Sequence, residues 1–258
     1  MNFYDKKEYQ DDKYKFYFTE LNRHSEGSKV FTDNETYAVV YLTGKPVWVW
    51  TLQNLTLDKL KELREVLTQL LTCDKLDLTT RKEVYDYLSD TNYPYLDETS
   101  YFELGYLDCE KPVQPRKCDG YLDRVREDEL DLLANYVYLE KLELPLASLS
   151  KEEALEAAKG FLKDDTFYVW RNESGKLVAY LNYRLYDGSA KLGNVYTLEE
   201  ERRKGYCANL VYEVTKKLLE SGLKVLLFTD YKYPNSNNAY KKVGYEDKGF
   251  LVNYTLRK

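Results

Sequence analysis

The sequence predicts an α+β protein in layers: a mixed, mostly antiparallel central sheet with helices on both faces, preceded by a smaller N-terminal α/β domain. Three observations predict it. Short β-branched and aromatic runs alternate with segments whose apolar residues recur every three or four positions. From residue 120 onward the order reads β-α-α-β-β-β-α-β-α-β, and a sheet covered by helices is the arrangement that buries such faces. One run, KVLLFTD (224–230), is apolar almost throughout, as expected of a central strand buried on both sides.

The elements follow in order. The first 30 or so residues are polar and crowded with Lys, Asp, Tyr and Glu, which predicts an extended arm or a peripheral helix. TYAVVYLT (36–43) and PVWVWTL (46–52), divided by Gly44 and Lys45, predict a hairpin. Leu57, Leu60, Leu63, Val66, Leu67, Leu70 and Leu71 lay one stripe along a helix. A second helix is expected to start at Thr80, with Glu83 in the capping-box position. YFELGYL (101–107) reads as a strand. CEKPVQPRKCDG (109–120), with two prolines, a glycine and no periodicity, reads as a linker between domains at 1–115 and 119–258.

Beyond it, GYLDRV (120–125) predicts a strand and Glu127 to about Leu142 a helix. A further helix is capped by Ser150 with Glu153 reciprocating and ends near Gly160. DTFYVWR (165–171) and KLVAYLNYRLY (176–186) form a hairpin about Asn172–Gly175. Asp187 and Gly188 turn the chain into AKLGNVYT (190–197). A helix from about 205 to 221, closed by Gly222, precedes the apolar run. A short helix at 236–242 and a strand at 249–257 complete the pattern.

Composition narrows the function. Lys and Arg number 38 against 44 Asp and Glu, a formal charge of -6, so the chain has no general attraction for nucleic acid or anionic lipid. No apolar run approaches the roughly 20 residues that span a bilayer, and MNFYDKKEYQ has no apolar signal region. Cys73, Cys109, Cys118 and Cys207 match no zinc spacing, and no metal is expected. His24 is the only histidine, which excludes chemistry needing two imidazoles. A reduced, cytoplasmic protein without nucleic-acid or membrane partners is the expectation.

Chemistry concentrates in VYTLEEERRKGYCANLV (195–211). A strand ends at Thr197, a basic loop follows, and a helix opens at about Gly205. Glycine admits close approach of a ligand to the backbone. The first turn of a helix offers unpaired N–H groups and the positive end of its dipole. With Arg202, Arg203 and Lys204 these form a pyrophosphate cradle. Neither of the two common glycine-rich nucleotide motifs occurs.

At these residues the sequence resembles the GCN5-related N-acetyltransferase (GNAT) superfamily. Arg202, Gly205 and Cys207 match the first, fourth and sixth positions of its Arg/Gln-x-x-Gly-x-Gly/Ala signature, with Cys207 a small substitute for the usual Gly or Ala. The wider stretch is similar to a bacterial-type subgroup with VYTPPExRGKGYA, whose prolines are replaced here by Leu198 and Glu199. A second block, Phe228-Thr229-Asp230 followed by PNSNNAYKKVGY (234–245), resembles the same subgroup, with Tyr233 standing where its leading Asn is expected.

The resemblance implies a GNAT fold whose fourth and fifth strands splay apart, and acetyl-CoA as cosubstrate beside Gly193–Thr197. It implies coenzyme contacts from Val195, Tyr196, Thr197, Arg202, Arg203, Lys204, Gly205, Tyr206, Cys207, Ala208 and Asn237, with Tyr240 as general acid. Direct attack needs a neutral amine, a polarised carbonyl and a proton for the leaving thiolate. Glu199 and Glu200, just past the strand, are the candidate bases. The expected partner is a small-molecule or peptide amine. An acyl-CoA-binding sensor without turnover is the alternative. The N-terminal domain lacks the cradle motif and is expected to be, at most, a degenerate copy of the same fold.

Overall fold

The computed structural model describes residues 2–72, 74–143 and 149–258. Its first elements are α1 (Lys7–Asp12), α2 (Tyr17–Arg23), β1 (Lys29–Thr32), β2 (Tyr37–Tyr41), β3 (Val47–Thr51), α3 (Leu57–Leu70), β4 (Lys75–Thr80), α4 (Lys82–Asp90) and β5 (Leu96–Cys109). They are followed by β6 (Tyr121–Asp123), α5 (Leu130–Leu142), α6 (Lys151–Leu162), β7 (Tyr168–Arg171), β8 (Leu177–Tyr186) and β9 (Ser189–Thr197). The last are α7 (Tyr206–Glu220), β10 (Lys224–Asp230), α8 (Pro234–Lys242) and β11 (Glu246–Arg257). The chain forms two compact units interleaved in sequence. One holds Met1–Tyr106, Thr229–Tyr233 and Lys248–Lys258; the other holds Leu107–Phe228 and Pro234–Asp247.

In the first unit the strand order is β1-β2-β3-β4-β11-β5. The β2–β3 hairpin is antiparallel as expected, whereas β3 and β4 run parallel. Leu60, Leu63 and Leu67 of α3 pack on Val39, Val49, Leu78 and Tyr254. Two expectations are corrected here. The N-terminal segment is neither extended nor peripheral: Phe3, Tyr9, Phe16 and Tyr17 are at most 1% exposed. Phe3 and Tyr9 pack on Trp50 at ring separations of 6.0 and 5.2 Å. Charged residues interleaved with the aromatic ones conceal this core in the sequence. Nor does a helix start at Thr80, which instead ends the unpredicted strand β4. Helix α4 begins at Lys82 without a side-chain cap, and Glu83 accepts the Asn54 N–H at 3.1 Å instead of closing a capping box.

In the second unit the order is β5-β10-β9-β8-β7-β6. Strands β9 and β10 are parallel, and β9, β8, β7 and β6 are antiparallel neighbours. On β8, Val178 and Leu181 pack with Tyr206, Leu210 and Val214 of α7. Leu177 and Tyr180 pack instead with Leu133 and Val137 of α5 and Ala154 and Ala158 of α6. Helices therefore cover both faces of this sheet. Ser150 and Glu153 close the predicted capping box of α6, which runs through Gly160 to Leu162.

The segment read as a linker is docked on this unit. Val113 N–H donates to Val243 O at 2.7 Å, and a Cβ on Gly244 would stand 2.6 Å from Lys111 O. Its prolines forbid periodicity, not packing. Arg171 on β7 is fully buried, and its guanidinium donates to both Glu129 oxygens at 2.6 and 2.7 Å and to Asp123. Among the described residues, no helix is long and apolar enough to cross a membrane, and no His, Cys, Asp and Glu group is arranged to hold a metal ion.

Candidate active site

Strand β9 shapes the site. Its pairing with β10 runs from Lys224↔Ser189 to Leu227↔Leu192, and β9 then continues to Thr197. Against β8, the register passes from Asn182↔Gly193 to Tyr180↔Tyr196: two steps on β8 and three on β9. The extra residue is a bulge in β9, where Asn194 takes a φ of 46°. Past the bulge, Leu198 N–H donates to Val178 O at 3.1 Å. The alternation of an antiparallel ladder then turns the N–H and C=O of Thr197 away from β8. That carbonyl accepts Arg202 Nε at 3.0 Å. Thr197 Oγ1 is buried without a hydrogen-bond partner, close to the Cys207 thiol but outside bonding geometry.

After a single 3-10 turn at Glu199–Glu201, Arg203 and Gly205 adopt φ of 65° and 95°. This left-handed geometry suits glycine and folds the loop so that successive N–H groups converge. Among the described residues, the backbone N–H groups of Arg203 to Ala208 meet no acceptor. Helix α7 opens on them with no side-chain cap. Asn209 braces the loop, donating from Nδ2 to Gly205 O at 3.0 Å and to Arg116 O at 3.1 Å.

The predicted cations divide. Arg202 makes a bidentate pair with Glu143 at 2.7 Å to each oxygen, and Lys204 pairs with Glu201 at 2.7 Å. Arg203 is exposed and makes no ion pair among the described residues. Tyr206 is buried with its hydroxyl on Asp119 at 3.2 Å, so it offers the cradle only its backbone. Val195 packs on the α7 side of the sheet, while Tyr196 turns to the α5 side and donates to Glu143 at 3.2 Å. Burial pushes the Cys207 thiol up to about 11, so it is not a thiolate nucleophile. Ala208 is half-buried beside it.

Asn237 and Tyr240 lie one turn apart on α8, 9% and 6% exposed. Burial first, then proximity to Cys207 and Glu140, raises the Tyr240 phenol far above its ordinary range, so it stays protonated at any working pH. Glu199 and Glu200 face solvent. Glu200 pairs with Lys176 at 3.3 Å, and its own backbone N–H together with Lys176 holds its carboxyl below the usual range. Two features escaped the sequence reading. Arg116 and Lys117 are exposed where the docked segment meets Gly205, and Glu140 is a buried carboxylate on α5. Both lie far in sequence from the loop they serve, and neither belongs to a motif.

Residues 134–245 match the model of the acetyltransferase (GNAT) family. Among solved structures, the chain is similar to an acetyltransferase of the GNAT family from Colwellia psychrerythraea, with 12% identity over 96% of this chain and 90% of that one, at a TM-score of 0.61. It is likewise similar to a GCN5-related N-acetyltransferase from Sphaerobacter thermophilus, 15% identical over 92% of this chain and 84% of that one, TM-score 0.60. A GCN5-related N-acetyltransferase from Kribbella flavida is 13% identical over 93% of each chain, TM-score 0.56. No curated protein matches the chain. The fold is therefore a GNAT fold, a mixed sheet with helices on both sides. The family match spans less than half of the chain, the structural likenesses show the fold, and neither reaches the bacterial motif subgroup.

Proposed function

We propose that this protein transfers acetyl from acetyl-CoA to a primary amine of a small molecule or peptide, by direct attack within a ternary complex. One observation carries the reading: six consecutive N–H groups, Arg203 to Ala208, meet no acceptor among the described residues at the start of α7, beside a β9 that runs on to Thr197 after its pairing with β10 ends at Leu192. Such an array binds phosphate oxygens, and the open side of Gly193–Thr197 suits the amides of an extended pantetheine arm. Acetyl-CoA supplies an activated thioester. Arg203 adds positive charge at the cradle, and Gly205, Cys207 and Ala208 keep the approach narrow. Asn237 reaches the coenzyme arm, Thr197 N–H polarises the thioester carbonyl, and Tyr240 gives its proton to the departing sulfur.

Isothermal titration of the purified chain with acetyl-CoA tests this. Micromolar binding is expected. Gly205→Asp should weaken it by about 100-fold or more, since it puts a carboxylate on a phosphate site and a Cβ at a φ of 95°. Tyr240→Phe should leave binding intact and lower kcat by about two orders of magnitude. A wild-type chain that does not bind acetyl-CoA would overturn the reading. A non-catalytic acyl-CoA sensor is the second reading, favoured by the solvent-facing Glu199 and Glu200, the base candidates nearest the loop. It predicts binding without thiol release for any amine.

A further inference from the structure

Resting on the reading above that the cradle holds acetyl-CoA, we propose that Arg116 and Lys117 form a second phosphate site on its rim. This site takes the 3′-phosphate of the coenzyme and makes the protein selective for acetyl-CoA over 3′-dephospho-acetyl-CoA. Both residues precede the stretch that matches the GNAT family model, 134–245. The segment that carries them is neither helix nor strand, yet its backbone is fastened along its length. Val113 N–H donates to Val243 O at 2.7 Å, Asn209 Nδ2 to Arg116 O at 3.1 Å, and Trp170 Nε1 to Asp119 O at 3.0 Å. Close backbone approaches hold its two ends: a Cβ on Gly244 would stand 2.6 Å from Lys111 O, and one on Gly120 would stand 1.9 Å from Arg171 O. Pro112 and Pro115 fix two further φ angles. The rim is thus set before any ligand arrives, and preorganised groups bind at a lower entropic cost.

The rim meets the cradle at Gly205, where a Cβ would stand 3.5 Å from Cys118 Cβ and 3.9 Å from Arg116 O. Gly205 is one of the six residues whose N–H groups meet no acceptor, so Arg116 and Lys117 stand within a side chain's length of them. Both are exposed, and neither side chain makes a hydrogen bond or an ion pair among the described residues. Charge assigns their role. Acetyl-CoA brings a pyrophosphate and, on the adjoining ribose, a phosphomonoester carrying about -1.5 to -2 charges at pH 7. Of the loop's own cations, Arg202 is held by Glu143 and Lys204 by Glu201, which leaves Arg203. The N–H groups and one guanidinium suit the pyrophosphate. The monoester then has no counter-charge from the loop, and the rim supplies it. Arg116 offers paired hydrogen bonds and Lys117 a mobile point charge. Asp119, the next acid along the segment, is already occupied by the Tyr206 hydroxyl at 3.2 Å and the Glu173 N–H at 3.1 Å.

The test measures Kd by calorimetry for acetyl-CoA and for 3′-dephospho-acetyl-CoA, using wild type, the double variant Arg116→Gln with Lys117→Gln, and Lys111→Gln. Lys111 is an equally exposed cation of the same segment, but its backbone meets Gly244 rather than Gly205. Wild type should bind acetyl-CoA about 10-fold or more tighter than the dephospho form. That preference should shrink as KCl is raised from about 50 to about 500 mM. The double variant should lose the preference to within about twofold while keeping its affinity for the dephospho form and its melting temperature. Lys111→Gln should keep the preference. Equal wild-type affinity for the two forms overturns the inference and leaves the transferase reading standing, and so does a preference that survives in the double variant. Loss of the preference in Lys111→Gln as well reduces the effect to net charge and also overturns the site. A preference that depends on Arg116 and Lys117, with no thiol release on any amine, keeps the site and sinks the transferase reading. Binding of neither form overturns both.

Discussion

Lys191 on β9 faces a difficulty of its own. Its stem keeps some exposure, but its ammonium is enclosed, and burial followed by the cross-strand charge of Arg184 lowers its pKa to about 8 from the ordinary 10.5. Between those values the unfolded chain holds a proton that the folded one does not, so stability rises with pH across the window. Below about 8 the folded protein must charge a buried amine, and the penalty is full. Lys191→Met should therefore be more stable than wild type at pH 7, by about 1–2 kcal/mol once partial exposure is allowed for. That advantage should vanish above pH 10.5. Thermal melts of both proteins from pH 7 to 11 check the prediction; a gain independent of pH would mean that packing, not charge, decides it.

Among the elements, β6, the turn before α5, and β7 are held together by one side chain. Arg171 answers Glu129 and Asp123 and also donates to the carbonyls of Arg124 and Gly175. Its replacement by Met leaves two carboxylates facing an apolar stem, which should destabilise the fold by about 3–5 kcal/mol. Urea denaturation should show a lowered midpoint with an unchanged slope. The sequence made much of this half legible. Gly175 and Gly188, with φ of 81° and 69°, mark the turns around β8, and the apolar run of β10 announces a central strand. The loop at Arg202–Gly205 was legible because only a few residue types tolerate its backbone. The bulge was not: Gly193, Asn194 and Val195 resemble any strand residues until their partners on β8 are known. Nor was Glu140, whose partner Tyr180 stands 40 residues away. Strand β4 was hidden because Lys75 and Asp77 dilute its short apolar alternation.

For the whole molecule, the division of the chain matters most. The first unit is completed by Lys248–Lys258, which supply most of β11 and pair with β4 from Val252↔Thr80 to Arg257↔Lys75. Val252, Tyr254 and Leu256 are at most 2% exposed within its core. A fragment of residues 1–106 should therefore lack a cooperative melt, and a synthetic peptide of residues 248–258 added in trans should restore one. Circular dichroism with and without the peptide decides this, and a cooperative melt of the fragment alone would show that β11 is dispensable. Composition and periodicity said nothing of this exchange, because a strand carries no mark of which neighbour it joins.

The same interleaving bears on how the molecule is made. Translation delivers β4 well before its partner β11, with nearly all of the second unit in between. Until β11 emerges, the nascent chain carries an unpaired strand edge and exposed Leu76 and Leu78, the kind of surface that chaperones shield and that seeds aggregation. A premature stop or a proteolytic nick just ahead of Lys248 would thus damage a unit most of which was made long before the break.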